Sequence, residues 1–166
     1  MHSVQHGEQG DVNMENTTNV NMFSLLYEGS FVSLKRSNQD ILFEIDLQYL
    51  AELIRSEYTI FRGILKTCRE CRFEPWGEEI IYEDITVIQQ LLEEMEMLHT
   101  KSHGEEVVVD CYNPSFDPLR TEGQYKYIGG RFIFSCENVE LFDQGGNSIT
   151  VEQLEELSRK SVENVP

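Results

Sequence analysis

Cys68-Arg69-Glu70-Cys71 is the place in this chain where residue type and spacing first suggest chemistry. Two thiolates three residues apart can face one tetrahedral metal ion or exchange a disulfide. A zinc site needs a second ligand pair. His99 and His103 stand four apart, but they follow Cys71 after about twice the roughly 12 to 15 residues usual in such modules, with a whole expected helix in between. Cys111 and Cys136 are the other possible ligands, and both fall on expected strands, where a free Cys commonly behaves as a small buried hydrophobe. The redox reading lacks the βαβ setting of a thioredoxin-like motif. We therefore expect four reduced cysteines, no metal and no cofactor. A zinc-stabilised module or metalloenzyme using Cys68 and Cys71 is the alternative.

His103-Gly104-Glu105 and His6-Gly7-Glu8 each match the H-x-E half of a zinc deaminase, whose Glu moves protons beside a His/Cys/Cys metal. The first follows the Cys pair instead of preceding it, the second lies in a polar N-terminal segment, and Thr67 stands where that signature has Pro. His99 reads as a residue near a helix C-terminus, where the macrodipole favours positive charge. There is no G-x-S-x-G elbow, H-E-x-x-H pair, Walker A loop or G-x-G-x-x-G turn, and Gly129-Gly130 and Gly145-Gly146 are explained as strand turns. With no nucleophile and no base in evidence, a non-catalytic protein is the stronger expectation.

Charge is the more informative feature. Thirty acidic and 13 basic residues give a net charge of −17 over 166 residues. Such a balance disfavours nucleic acid and anionic membranes as partners, since phosphate neutralisation needs clustered Lys and Arg. Between Phe73 and Thr100 there is no Lys or Arg, while Glu74, Glu78, Glu79, Glu83, Asp84, Glu93, Glu94 and Glu96 are acidic and the lone Trp76 sits among them. The asymmetry recurs between Phe132 and Ser158 with Glu137, Glu140, Asp143, Glu152, Glu155 and Glu156. An acidic field attracts a basic partner and speeds encounter, and Trp is enriched among residues that dominate interface energy. The expected partner-binding set is Trp76, Glu74, Glu78, Glu79, Glu83 and Asp84, for a basic protein. The competing explanation is a solvated acidic surface with Trp76 covering the edge of a core.

The elements that must position these residues follow from periodicity. Residues 1–21 contain Asn13, Asn16, Asn19 and Asn21 and almost no periodic apolar residue, so they read as a disordered tail, with Met14 and Met22 as alternative starts. Residues 22–166 form one expected domain. Phe31 to Leu34 and Ile41 to Ile45 around a polar loop signal a hairpin. From Asp46, the residues Leu47, Leu50, Leu53, Ile54, Tyr58, Phe61, Ile64 and Leu65 recur at helical steps and predict a helix of about 20 residues, ending in turn chemistry from Cys68 to Gly77. Asp84 caps a second expected helix running from Ile85 to Leu98. Strands are expected at Glu106 to Tyr112, Tyr125 to Ile128, Arg131 to Cys136 and Val139 to Phe142, with a loop from Asn113 to Gly123. Thr150 with Gln153 forms a capping box opening a short C-terminal helix.

Strands grouped at both ends with two central helices and a short C-terminal helix predict an α+β fold of mostly antiparallel sheet. The apolar runs are too short for a bilayer span and the N-terminus lacks signal-peptide regions, so a cytoplasmic protein is expected. In size, acidity and architecture the chain resembles bacterial immunity proteins against nucleases, a likeness that transfers no residue roles. It implies an inhibitor or immunity factor masking a basic partner such as a toxin domain.

Overall fold

The computed structural model describes residues 16–119 and 127–163. The chain is α+β and mostly antiparallel sheet, with the short C-terminal helix where it was expected. Helix α1 covers residues 16–25. The hairpin β1 (Ser30–Ser37) and β2 (Asp40–Asp46) follows, its turn containing Asn38 at φ 56°, a left-handed conformation that Asn tolerates. One helical turn, α2 (Gln48–Ala51), leads to β3 (Ile60–Lys66) and β4 (Glu70–Pro75). Helix α3 (Ile85–Leu92), β5 (Glu96–His103), β6 (Glu106–Tyr112), β7 (Gly129–Ser135), β8 (Asn138–Phe142), β9 (Ser148–Ile149) and α4 (Val151–Glu163) complete the order.

The strands form two sheets, one ordered β1-β2-β3-β8-β9 and one ordered β4-β7-β6-β5. Phe31 and Phe43 from the first, Phe132 and Phe134 from the second, and Phe23 from α1 meet with ring centroids 5.2 to 6.0 Å apart. Each such buried side chain contributes roughly 1.5–3 kcal/mol, and tilted or edge-on ring pairs add about 0.5–1.5 kcal/mol. Gly63 is forced by this packing, because a Cβ there would run into the Phe43 ring directly across the strand pair.

Several local expectations are corrected. The 20-residue helix shrinks to α2, because Phe61, Gly63 and Leu65 point inward at alternate positions and pair as β3. The second helix stops at Leu92, and Met97 and His99 belong to β5. His99 is therefore nowhere near a helix end. The stretch after Cys68 is a strand paired to β7, not a terminating turn. Gly129 and Gly130 lie within β7 instead of at a turn. Residues 16–21, assigned to a disordered tail, are helical, with Asn16 and Asn19 buried. Residues 1–15, and part of the strand expected at Tyr125 to Ile128, fall outside the described residues. The capping box forms as read: Thr150 N–H donates to Gln153 Oε1 at 2.9 Å and Gln153 N–H to Thr150 Oγ1 at 3.1 Å. No helix among the described residues is long and apolar enough to cross a membrane.

Candidate functional site

Residues 76–84 connect β4 to α3 and carry most of the expected site. Pro75 ends β4 in a buried position, and Gly77 turns the chain at φ 77°, in the left-handed region that suits Gly. Both ends of the connection are fastened. Trp76 N–H donates to Gly129 O at 3.0 Å, and the indole lies over Gly129, where any Cβ would collide with it. Trp76 is thus half-buried, with one side on β7 and the other free. At the far end Tyr82 exchanges two backbone hydrogen bonds of 2.9 Å with Phe73. Its hydroxyl, pushed up to about 12 by loss of solvent and by the hydrogen bond with Tyr127, stays a neutral phenol.

Glu78, Glu79, Ile80 and Ile81 between these anchors, and Glu83 just beyond Tyr82, are exposed. Ile80 retains 45% and Ile81 56% of its possible exposure, large values for β-branched apolar residues. The two isoleucines are not in the partner-binding set expected from the sequence. Their signal was nonetheless present, as two adjacent β-branched residues set between Glu78-Glu79 and Glu83-Asp84. The loop therefore exposes two isoleucines flanked in sequence by carboxylates, with Trp76 at its start. This is the composition of an interface, with a central apolar anchor and a charged rim.

Two members of the expected set do other work. Asp84 is the N-cap of α3, its Oδ1 accepting from Thr86 N–H at 2.9 Å and Val87 N–H at 3.3 Å. Glu74 lies on the outer face of the four-stranded sheet and accepts from Arg72 Nε at 2.8 Å. Arg72 also pairs with Glu106 and, at 3.4 Å, with Glu70. Its hydrogen bonds to Glu106 and Glu74 raise the guanidinium still further and hold the Glu106 carboxyl below its usual range.

That outer face carries a cross-strand row the sequence did not disclose. Glu74 stands opposite Arg131, Arg131 opposite Asp110, and Asp110 opposite His99. Asp110 is buried; His99 Nε2 is 2.7 Å and Arg131 Nε 3.7 Å from its two oxygens. Strand pairing, which sequence spacing does not encode, assembles the row.

Cys68, Cys71 and Cys136 gather where β3 passes into β4, and Cys111 is buried apart from them, all four as free thiols. Among the described residues no group of three or more His, Cys, Asp or Glu is arranged to hold a metal ion. His103, from the deaminase-like triplet, is at the end of β5, 3.9 Å from Glu106.

No protein-family model matches the chain, no curated protein matches its sequence and no solved structure matches it, so the functional reading rests on the residues themselves.

Proposed function

We propose that this protein is a non-catalytic, cytoplasmic acidic binding protein that masks a basic protein partner, as an inhibitor or immunity factor does for a toxin domain. One observation carries the reading: the 76–84 loop exposes Ile80 and Ile81 between Glu78-Glu79 and Glu83, with half-buried Trp76 at its start. Its two ends are fixed to Gly129 and Phe73, so little loop entropy is lost when a partner docks. The carboxylates would steer Lys and Arg toward the loop and occupy them, while the isoleucines are removed from water. The net charge of −17 supports a basic partner over nucleic acid or an anionic membrane.

The test is to recover basic proteins bound at low salt in the native source and to measure association with the wild type and with a Glu78→Lys, Glu79→Lys, Glu83→Lys variant. Salt-sensitive association that the triple reversal slows supports the reading. Recovery of no basic partner, or binding indifferent to the reversal, overturns it.

A further inference from the structure

The cysteines of C-R-E-C sit at the first of the two points where the chain passes between the sheets, and Cys136 sits at the second. Lys66 is opposite Asn138 at the end of the first sheet, and Glu70 is opposite Ser135 at the start of the second. Between them Thr67 adopts φ 50° and Asp40 Oδ1 accepts its N–H at 2.9 Å. The chain therefore kinks as a bulge would kink it. Arg69 N–H then bonds Ser135 O at 2.8 Å and Glu137 N–H bonds Lys66 O at 2.9 Å, which leaves Cys68 facing Cys136 across the seam.

Cys68 Sγ lies 3.2 Å from Glu70 O, so its side chain curls over the peptide that leads into Cys71. The Cys71 side chain neighbours Cys68. Cys136 is differently engaged, its Sγ 3.6 Å from Asn138 O.

Arginines stand beside these cysteines in a protein whose overall charge is strongly acidic. Cys71 is half-buried and lines a surface depression with Arg36, Arg69, Arg72, Glu70 and Glu83, and its contact with Cys68 and its burial push its own thiol up. Arg36 and Arg69 enter no ion pair among the described residues, so their charge is available to the sulfurs.

We propose that Cys68 and Cys71 form a redox-reversible dithiol, oxidised by a peroxide to an intrachain disulfide and restored by a thiol reductant. The first proton leaves Cys68, whose thiol the neighbouring Cys71 and Arg36 draw down against the opposing effect of burial. Cys68 is only 6% exposed, which a molecule as small as hydrogen peroxide tolerates and a bulky disulfide does not. The Cys68 thiolate attacks one peroxide oxygen; the O–O bond breaks, Cys68 becomes a sulfenic acid, and the departing hydroxide takes a proton to become water. The Cys71 sulfur then attacks the Cys68 sulfur. The S–O bond breaks and a second water leaves, carrying the Cys71 proton. Two electrons have passed from two thiols to one peroxide. A dithiol returns them, with two protons, through a mixed disulfide.

Cys111 is an internal control, since burial and the neighbouring Asp110 drive its thiol up.

The experiment treats the folded full chain with hydrogen peroxide, blocks residual thiols and digests with trypsin. Cleavage after Lys66, Arg69 and Arg72 places Cys68 and Cys71 on separate peptides. The expected product is a disulfide joining residues 67–69 to residues 70–72, removed by dithiothreitol. In the reduced protein Cys68 should alkylate at least about tenfold faster than Cys111 at neutral pH. Cys71→Ser should stop at the Cys68 sulfenic acid, captured by dimedone. A disulfide from Cys68 to the Cys136 peptide, or no loss of thiols below the melting temperature, would overturn the proposal.

Discussion

Asn19 Oδ1 accepts the backbone N–H of Val139 at 3.2 Å, joining α1 to β8 across 120 positions of sequence. Asn16 Nδ2 donates to Gly104 O at 2.7 Å, in the β5–β6 turn. Helix α1 is thus pinned to both sheets by side chains that look like linker residues. Asn19→Ala leaves the Val139 N–H buried without an acceptor and should cost about 1–3 kcal/mol. A chain beginning at Met22 should lose more, since both bonds and the first turns of α1 go. For a domain of this size each kcal/mol lowers Tm by roughly 2–4 °C. Thermal melts of the three proteins check this, and equal midpoints would return residues 16–21 to the status of a dispensable tail.

Asp84 separates helix capping from partner binding. Asp84→Ala removes the acceptor for Thr86 and Val87 N–H and should destabilise by about 0.5–2 kcal/mol. Asp84→Asn keeps an acceptor of nearly equal quality and should unfold within roughly 0.5 kcal/mol of the wild type. Urea titrations of both variants distinguish the roles; if Asn were as damaging as Ala, the carboxylate charge and not the cap would be at stake.

Legibility in the sequence followed the range of the interaction. The β1–β2 hairpin and the Thr150 and Gln153 box were readable because each is closed by neighbours within a few residues. The stretch from Leu47 to Leu65 was misread because its apolar residues belong to successive structures. Leu50 and Ala51 are buried on one helical turn, while Phe61 and Leu65 alternate along a strand. Concatenated, the two sets imitate a 3.6-residue period. At the site, the run without Lys or Arg drew attention to Glu78, Glu79 and Glu83, all of them exposed. What each acid does was invisible. Glu74 is taken by Arg72 and Asp84 by α3, assignments that depend on which way β4 faces and where the helix begins. The row from Glu74 to His99 depends wholly on strand register.

The Arg72 network predicts an acid-dependent loss of stability. Arg72 holds the Glu106 carboxyl below its ordinary 4.5 in the folded protein. A carboxylate depressed by folding stabilises the native state above its unfolded pKa, and that contribution fades as pH falls through the folded value. Arg72→Gln should therefore lower stability by about 1–3 kcal/mol at pH 7. The gap should narrow as pH falls from about 4.5 toward 3 and Glu106 takes up its proton in the wild type as well. Denaturant titrations at pH 7 and pH 3 read the difference. A gap of the same size at both values would mean that Arg72 acts through packing alone.

The proposed binding loop makes the sharpest demand, because its charged and apolar parts should fail in different ways. Glu78, Glu79 and Glu83 are exposed, so reversing all three to Lys should leave stability within about 0.5 kcal/mol per site. Against a basic partner the same change turns attraction into repulsion. Association at low salt should slow by about tenfold or more, and the salt dependence of the on-rate should shrink or reverse. Ile80→Ser with Ile81→Ser removes the exposed apolar side chains and should act on dissociation, since short-range packing is lost only once the complex has formed. Trp76→Ala should do both kinds of harm: faster dissociation from a lost anchor, and lower stability because the indole covers Gly129. As Trp76 is the only tryptophan, its fluorescence reports in the wild type and in the loop variants whether a partner contacts this face. Stopped-flow rates at two salt concentrations, read beside thermal melts, test all three. If the isoleucine pair leaves the off-rate unchanged while the charge reversal still slows association, the acidic field steers the partner but the contact itself lies elsewhere on the protein.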